Sequence, residues 1–291
     1  MAEEKLLIGG QAVIEGVMMR NKSKVAIAIR QGEGNIVVQK KEYRSPSERY
    51  PFLRLPLLRG VVVFLESLVL GVQTLSISAE QALGEEEEEL KGWELPLTLV
   101  VSLGAAIGLF ILLPTVLMKY FRYGFEIPLL MNLGEGCLRL FIFLGYLFLI
   151  SRWKEIGRVF EYHGAEHKAI ACYEAGEPLT VENARKFTRL HPRCGTSFLL
   201  VVMVTSILLF SFFGWPGVWQ RIVIRLLLLP LVAGISYEGI KLASKTDNII
   251  TRIIVRPGLW LQLLTTKNPA DDQLEVALSS LEAVLPTDLK K

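Results

Sequence analysis

Two long stretches of the chain carry no charged side chain, and they constrain its fold more than any other feature. Residues 95–118 form one of them, and at about 1.5 Å per residue a helix of this length crosses a bilayer core. Residues 198–220 form the other, although the Gly and Pro residues of 214–217 are expected to end that helix early. A helix at the surface of a water-soluble protein needs a polar face, which neither stretch supplies. The sequence therefore predicts a mainly α, polytopic membrane protein.

Two further stretches have the length of a membrane span but contain ionisable residues. Residues 127–150 include Glu135 and Arg139, whose i, i+4 spacing places them on one helix face, where they can neutralise each other. Residues 222–240 include Glu238 near the end that leads to the tail. Both stretches are interpreted as spans, which makes about four in all. Ionisable groups in such surroundings either serve function or pair to fix helix packing.

A fifth apolar stretch, residues 57–77, contains Arg59, Glu66 and Gln73. It is more polar than a typical span, and we expect a re-entrant or interfacial helix here. A full crossing would place the N-terminus outside the cell, against the basic residues that precede the helix.

Lysine and arginine counts predict the orientation, because cytosolic loops are enriched in these residues. Residues 1–56 contain ten, the loop 151–197 contains eight and the tail from residue 241 contains seven. The connections 119–126 and 214–221 contain two and one. The pattern predicts a multi-pass protein of the cytoplasmic (inner) membrane, with both termini and the 151–197 loop in the cytosol.

The chain is expected to divide into five segments: a cytosolic β-rich segment (1–56), a membrane region with the interfacial helix and two spans (57–150), a cytosolic loop (151–197), two more spans (198–243) and an amphipathic C-terminal tail (244–291). In the first segment, apolar and polar residues alternate at 12–18, 25–30 and 36–42, which predicts a small three-stranded β-meander. The tail has helical periodicity, with one apolar stripe in its last part.

Charge, cysteine and histidine content narrow the function. A net charge of +3 argues against nucleic-acid binding, which calls for a strongly basic surface. Three cysteines, odd in number and far apart, argue against a set of structural disulfides. The chain has three histidines, and all of them fall between residues 163 and 191. The sequence carries no indication of oligomeric state.

The histidines belong to a motif typical of metal sites. His163 and His167 are four residues apart, so on a helix both imidazoles project from one face and can chelate one ion. With Glu166 they form the order H-x-x-E-H, in which a glutamate acts as the acid–base group of a zinc hydrolase. His191 and Cys194 form an H-x-x-C turn, and a set of three histidines and one cysteine suits Zn²⁺ or another divalent metal.

The number of ligands separates a structural metal from a catalytic one. Four protein ligands close a tetrahedral shell, whereas three ligands leave an open position beside Glu166. The residues leave both arrangements open. Glu15, Glu161 and Glu238 are candidates for a supporting role behind the ligands.

Four blocks of sequence, which include the histidine motifs, resemble the YqhQ-like family. They are Gly9–Arg20, Tyr162–Lys168, His191–Thr196 and the region of Ser236–Glu238. This is a bacterial integral-membrane family of unknown function, with plastid relatives, whose members are described as predicted metal-dependent enzymes. The resemblance spans nearly the whole chain and implies a membrane location and a metal site, but no substrate.

Three functions are compatible with these features. The first is a zinc-dependent hydrolase that acts on a membrane-associated substrate, either a lipid headgroup or a membrane-protein segment, with Glu166 as the catalytic acid–base residue. The second is a non-enzymatic membrane scaffold or assembly factor with a structural zinc. A transporter ranks third, because no inverted repeat is present.

Overall fold

The computed structural model describes residues 6, 8–32, 34–83, 93–120, 127–243 and 249–286, with side chains for all of these except 95, 243 and 249–255. The described helices, in chain order, are α1 (Pro46–Arg49), α2 (Leu58–Leu83), α3 (Glu94–Ile107), α4 (Leu113–Tyr120), α5 (Pro128–Ile150), α6 (Lys154–Ala175), α7 (Val181–Arg185), α8 (Gly195–Phe210), α9 (Val218–Ala243), α10 (Ile249–Thr265) and α11 (Asp271–Val284). A π-helical turn, Gly108–Leu112, joins α3 to α4. Short 3-10 turns lie at Pro51–Arg54 and Ser211–Phe213. The mainly α class is confirmed.

The N-terminal segment is a four-stranded antiparallel sheet, with its strands in sequence order. The strands are β1 (Gly9–Val13), β2 (Gly16–Asn21), β3 (Lys24–Arg30) and β4 (Ile36–Glu42). The prediction of one strand over residues 12–18 is wrong, because the chain reverses at Ile14 and Glu15 and Val13 pairs with Gly16. Glu15 has a φ of 50°, so the turn uses a left-handed residue that is not glycine.

Both faces of the sheet are covered. One face packs on α6 and α11 in a single core, which includes Met19, Tyr162 and Leu281. The other face packs against Ile77 of α2. The 151–197 segment, expected to be a loop, is largely helical. The apolar stripe predicted for the last part of the tail lies on α11, and it packs against the sheet.

Five described helices are long and apolar enough to cross a membrane. They are Leu58–Ala82, Pro96–Tyr120, Pro128–Ile150, Gly195–Phe213 and Val218–Leu242. Their outer surfaces are apolar: Val100 and Leu103 of α3, for example, are 67% and 63% exposed. Such surfaces match lipid rather than water. The prediction of a multi-pass membrane protein is supported, with five candidate spans in place of the expected four.

The shared core limits how many of these helices can cross completely. The sheet, α6 and α11 pack together, so they lie on one side of any bilayer. Between residues 57 and 154 the chain leaves this side and returns to it, which requires an even number of crossings. Three candidates occupy that interval, so at least one of them does not cross.

Contacts with the sheet identify α2 as this helix. Glu66 is paired with Arg20 at 3.1 Å, Gly71 lies against the side chain of Gln11, and the Ser78 hydroxyl accepts a hydrogen bond from the backbone N–H of Ile14 at 3.2 Å. These contacts extend over more than three helical turns, which keeps α2 alongside the sheet.

The two faces of α2 fit a position at the membrane interface. Its buried face carries Glu66, Thr74 and Ser78, whereas its exposed face carries Leu65 and Leu68, which are 54% and 51% exposed. This arrangement, polar toward the protein and apolar outward, suits a helix that faces lipid. With α2 at the interface, four of the five candidate spans remain, which is the number that the sequence analysis expected.

Candidate metal centre

The candidate site is built on α6, which packs beside α11 on one face of the sheet. The helix ends at Gly176, which adopts the left-handed conformation with a φ of 77° and accommodates the last turn. Tyr162, Ala165 and Ala169 point into the core. His163, Glu166 and His167 line a cavity on another side of the same helix.

Each of the two α6 histidines presents its Nε2 atom to this cavity. Nδ1 of His163 lies 2.8 Å from the backbone carbonyl of Thr265, and Nδ1 of His167 lies 2.5 Å from the carbonyl of Arg189. A carbonyl only accepts hydrogen bonds, so Nδ1 is the protonated nitrogen of both neutral rings. Nε2 of each ring is therefore the nitrogen whose lone pair can bind a metal, and a backbone carbonyl behind the ring is the usual support of a metal-binding histidine.

Cys194 brings a sulfur to the same place from the start of α8. It is the N-cap of that helix, and its Sγ lies 3.4 Å from the backbone nitrogen of Thr196. The same Sγ is 3.2 Å from Nε2 of His163. Burial raises the pKa of the Cys194 thiol, although the amide groups around it act in the opposite direction.

These three groups could hold one metal ion. Ligand atoms of His163, His167 and Cys194 all lie within 4.8 Å of one another. Nε2 of His167 is buried and has no hydrogen-bond partner among the described residues, which is costly unless the lone pair binds something. Burial also lowers the pKa of His167 to about 3, which keeps the ring neutral, as metal binding requires. Two imidazole nitrogens and one sulfur are donors that fit a zinc-like ion, and they leave a fourth position open.

His191, the fourth predicted ligand, lies beside this group rather than within it. Its ring centroid is 5.7 Å from that of His167. Nε2 of His191 is 3.3 Å from a carboxylate oxygen of Glu174, and Nδ1 accepts a hydrogen bond from the backbone N–H of Arg193 at 3.4 Å. Both ring nitrogens are therefore engaged within the protein. Burial lowers the pKa of His191.

Glu166 stands next to the three-ligand group. One of its carboxylate oxygens is 3.9 Å from Nε2 of His163, and the residue is 5% exposed. Burial raises the pKa of this carboxyl to about 8, while His163 lowers it and Cys194 raises it. A Cβ atom on Gly10 of β1 would lie 2.6 Å from the carboxylate, so only glycine leaves room for Glu166 in this position.

A cavity of about 550 Å³ opens in front of the site. Its walls come from β1, β2, α6, α8 and α2, and they are mostly apolar. Leu70 of α2 and Leu199 of α8 form the side nearest the membrane helices, and Arg20 and Arg193 contribute positive charge. Both arginines are paired with carboxylates, Glu66 and Glu174.

Glu15, predicted as a supporting residue, contacts α6 but not the histidines or Cys194. Its carboxylate pairs with Arg158 through two hydrogen bonds and accepts a third from the hydroxyl of Tyr162 at 3.2 Å. It therefore attaches the β1–β2 turn to the first half of α6.

The other two supporting candidates lie in separate interactions. Glu161 accepts a hydrogen bond from Gln273 of α11 at 3.0 Å. Glu238 pairs with Arg59, which joins α9 to the start of α2. Neither carboxylate has a described contact with the three-ligand group.

Gln262 of α10 is a residue that the sequence analysis missed. Its side chain accepts from the backbone N–H of His191 at 2.8 Å, and it donates to the His191 carbonyl at 2.8 Å and to the Ser197 hydroxyl at 3.1 Å. It is completely buried and fixes the turn that carries Cys194. A single amide within an apolar helix was the available signal.

Comparison with known proteins identifies the family. Residues 55–287 match a family described as a protein of unknown function (DUF1385). The chain is 37% identical over 295 residues to the "Uncharacterized protein YqhQ" of Bacillus subtilis (strain 168), which covers 95% of this chain and 92% of that protein. No solved structure matches the chain. The chain therefore belongs to this YqhQ-like family of unknown function, and the resemblance stated from the motif blocks is confirmed.

Proposed function

We propose that this family member is a metal-dependent hydrolase, with zinc as the expected ion, that acts on a membrane-associated substrate at the cytosolic surface of the inner membrane. The observation that carries the proposal is the convergence of His163, His167 and Cys194 beside Glu166, at the wall of a large cavity. Three protein ligands and an adjacent carboxylate are the arrangement of catalytic rather than closed structural zinc sites.

The metal ligands and Glu166 have different roles in the proposed hydrolysis. A divalent ion bound to the three ligands would supply Lewis acidity toward a water molecule or a substrate oxygen. Beside the positive charge of that ion the Glu166 carboxylate would be ionised, and it would accept the proton of the attacking water as the new bond to the acyl carbon or phosphorus forms. It returns that proton to the leaving group when the scissile bond breaks. Gly10 supports this role because its lack of a side chain keeps Glu166 beside the ligands.

The cavity supports a substrate that belongs to the membrane. Its apolar wall includes Leu70 of α2, and the opposite face of α2 is apolar and exposed. A substrate with an apolar part can therefore lie along this wall while its polar group meets the His and Cys residues. Both a lipid headgroup and a membrane-protein segment satisfy this requirement.

The cytosolic orientation is supported by charge. The sheet, α6 and α11 lie together, and the segments that form them are those with the highest lysine and arginine counts. Basic segments are retained in the cytosol during membrane insertion.

Metal analysis and a hydrolysis assay test the proposal. In detergent-purified protein we expect about one zinc ion per chain, lost in Cys194→Ser and retained in Cys137→Ser, because Cys137 is an exposed cysteine of α5. Amphiphilic fluorogenic ester, phosphodiester and amide probes in mixed micelles serve as substrates. Glu166→Gln is expected to keep the metal and to lose about 100-fold or more of the hydrolysis rate.

Glu161→Gln is the matched control for Glu166→Gln, since Glu161 lies on the same helix and hydrogen-bonds only Gln273 among the described residues. It should hydrolyse at close to the wild-type rate. Metal-loaded protein that hydrolyses none of the probes, or a Glu166→Gln variant with unchanged activity, would contradict the catalytic role.

The second candidate function is a structural zinc in a non-enzymatic scaffold or assembly factor. It is favoured by the origin of the ligands, since two come from α6 and one from the start of the membrane helix α8. An ion there would join the sheet-bearing part to the helical bundle. Metal that is essential for folding, together with an inactive protein and a dispensable Glu166, is the outcome expected for this function.

A further inference from the structure

Glu66, Glu135 and Glu238 are carboxylates of the apolar helices that pair with arginines, and they differ in how their charge is balanced. Glu238 pairs with Arg59, and Glu66 pairs with Arg20. In each case one acid meets one base. The third carboxylate, Glu135 of α5, has several basic partners.

Glu135 is completely buried and lies among three arginines. One oxygen, Oε1, accepts from the Thr115 hydroxyl at 2.7 Å, from Arg139 at 3.2 Å and from Arg225. The other oxygen, Oε2, accepts from Arg221 at 2.9 Å. Arg221 and Arg225 are 5% and 6% exposed, and both come from the first half of α9.

Among the described residues, the charge of Arg139 and Arg225 together exceeds that of Glu135. Their two guanidinium groups share the single carboxylate of Glu135, and the described residues provide these two with no second acid. Nε of Arg139 is buried and has no hydrogen-bond partner in the described part of the chain. Uncompensated charge in an apolar environment is expensive, so a bound anion would stabilise this arrangement.

The cluster lies at the end of the bundle opposite the candidate metal centre. Glu135 is in the second turn of α5 and Arg221 in the first turn of α9, while the far ends of both helices lead back toward the sheet side. At 1.5 Å per residue, the Cα atoms of Arg221, Glu135 and Arg225 are roughly 5–10 Å inside the helix ends. This depth corresponds to the headgroup and upper acyl region of the opposite leaflet.

A small gap beside the arginines can accept one atom of a ligand. It has a volume of about 10 Å³ and is lined by Asn132, Gly214, Arg221 and Arg225, among others. A gap of this size holds about one water molecule or one oxygen. The ring of Trp215 lies 3.8 Å from the Arg221 guanidinium, which is a cation–π contact.

We propose that this arginine cluster is an anion-binding site for a phosphate group, which inserts one oxygen into the gap. Guanidinium groups match the oxygens of phosphate in geometry as well as charge. The phosphate belongs either to an anionic lipid of that leaflet or to a free phosphate ion. The site is independent of the proposed hydrolase, because it uses other residues at the opposite end of the bundle.

Binding to delipidated protein in detergent tests the site and distinguishes the two sources. The probes are short-chain phosphatidylglycerol, inorganic phosphate and short-chain diacylglycerol, which has no charge, and the readouts are melting temperature and dissociation constant. Saturable stabilisation by phosphatidylglycerol alone indicates a lipid, and stabilisation by inorganic phosphate as well indicates the free ion. No response to either anion, or an equal response to diacylglycerol, overturns the proposal.

Two variants locate the binding. Arg139→Gln should weaken anion binding at least tenfold, whereas Arg152→Gln, an exposed arginine just beyond the other end of α5, should leave it unchanged. Phe210→Glu places a carboxylate near Arg225, whose guanidinium is 5.6 Å from the Phe210 ring. This variant should melt higher than wild type without anion and should not respond to phosphate, a result that misfolding cannot produce. A wild-type anion response in both Arg139→Gln and Phe210→Glu would place binding elsewhere and refute the site.

Discussion

Substitution of Gly164 by alanine tests how α6 is held beside the segment that joins α10 to α11. A Cβ atom at this position would overlap the carbonyl oxygen of Lys267 and would lie 3.3 Å from Cδ of Pro269. Backbone and a proline ring cannot rotate away, so the segment must move by about 1 Å to restore ordinary contact distances. That movement affects the hydrogen bond from Lys267 N–H to the Phe160 carbonyl and the one from His163 to the Thr265 carbonyl.

The expected cost can be assembled from these contacts. Overpacking of a filled core costs about 1–3 kcal/mol, and loss of the two hydrogen bonds costs roughly 1 kcal/mol each. The higher helix propensity of alanine returns about 1 kcal/mol. The net loss is about 2–4 kcal/mol in the free energy of unfolding. Because the carbonyl behind His163 sets the orientation of its ring, metal affinity should also fall by about 10–100-fold.

Thermal and denaturant unfolding in detergent, followed by metal analysis of the folded protein, measure both effects. Gly145→Ala in α5 is the matched control, because a Cβ there meets nothing within 4 Å. It should change stability by less than about 1 kcal/mol and leave the metal content unchanged. If Gly164→Ala unfolded like wild type and kept its metal, the packing of α6 on residues 265–269 and the assignment of the His163 tautomer would both be wrong.

Further predictions concern neighbours of the candidate metal centre. Gly10→Ala should displace Glu166 and abolish hydrolysis at unchanged metal content, whereas Gly9→Ala, with open space around its Cβ position, should behave as wild type in both assays. Gln262→Leu should lower the free energy of unfolding by about 2–4 kcal/mol, since it leaves the buried N–H and carbonyl of His191 unpaired; an unchanged denaturation midpoint would show that the hydrogen bonds are absent. A chelator should lower the melting temperature of wild type but not that of Cys194→Ser, and equal shifts would argue against a bound metal.

Local features of this protein could be predicted from its sequence, because they depend on residues that are near one another in the chain. The long uncharged stretches predicted helices able to span a membrane, since length and hydropathy suffice to recognise such helices. The i, i+4 spacing of His163 and His167 predicted that both rings lie on one face of a helix, because helix geometry fixes this arrangement. Cys194 was included through its motif, and the structure brings it to both histidines across 31 and 27 positions of sequence.

Features that depend on tertiary contacts could not be predicted in the same way. The β1–β2 turn contains neither Asn-Gly nor Pro-Gly, and Glu15 adopts a positive φ because Arg158 and Tyr162 hold its carboxylate. His191 has the sequence spacing of a ligand, but Glu174 lies within reach of its Nε2 only in the folded protein. Spacing predicts which side chains can meet, whereas competing partners decide which atoms are available.

The position of α2 likewise depends on tertiary contacts. This helix lies between the sheet and the membrane helices. By length and hydropathy α2 qualifies as a span, yet Glu66 and Ser78 attach it to the sheet, and the even number of crossings required by the shared core agrees with those contacts. A helix fixed there presents Leu65 and Leu68 to lipid on one side and Leu70 to the cavity on the other. One helix thickness therefore separates the cavity from the bilayer. This short separation supports the proposal that the substrate reaches His163 and Cys194 from the membrane.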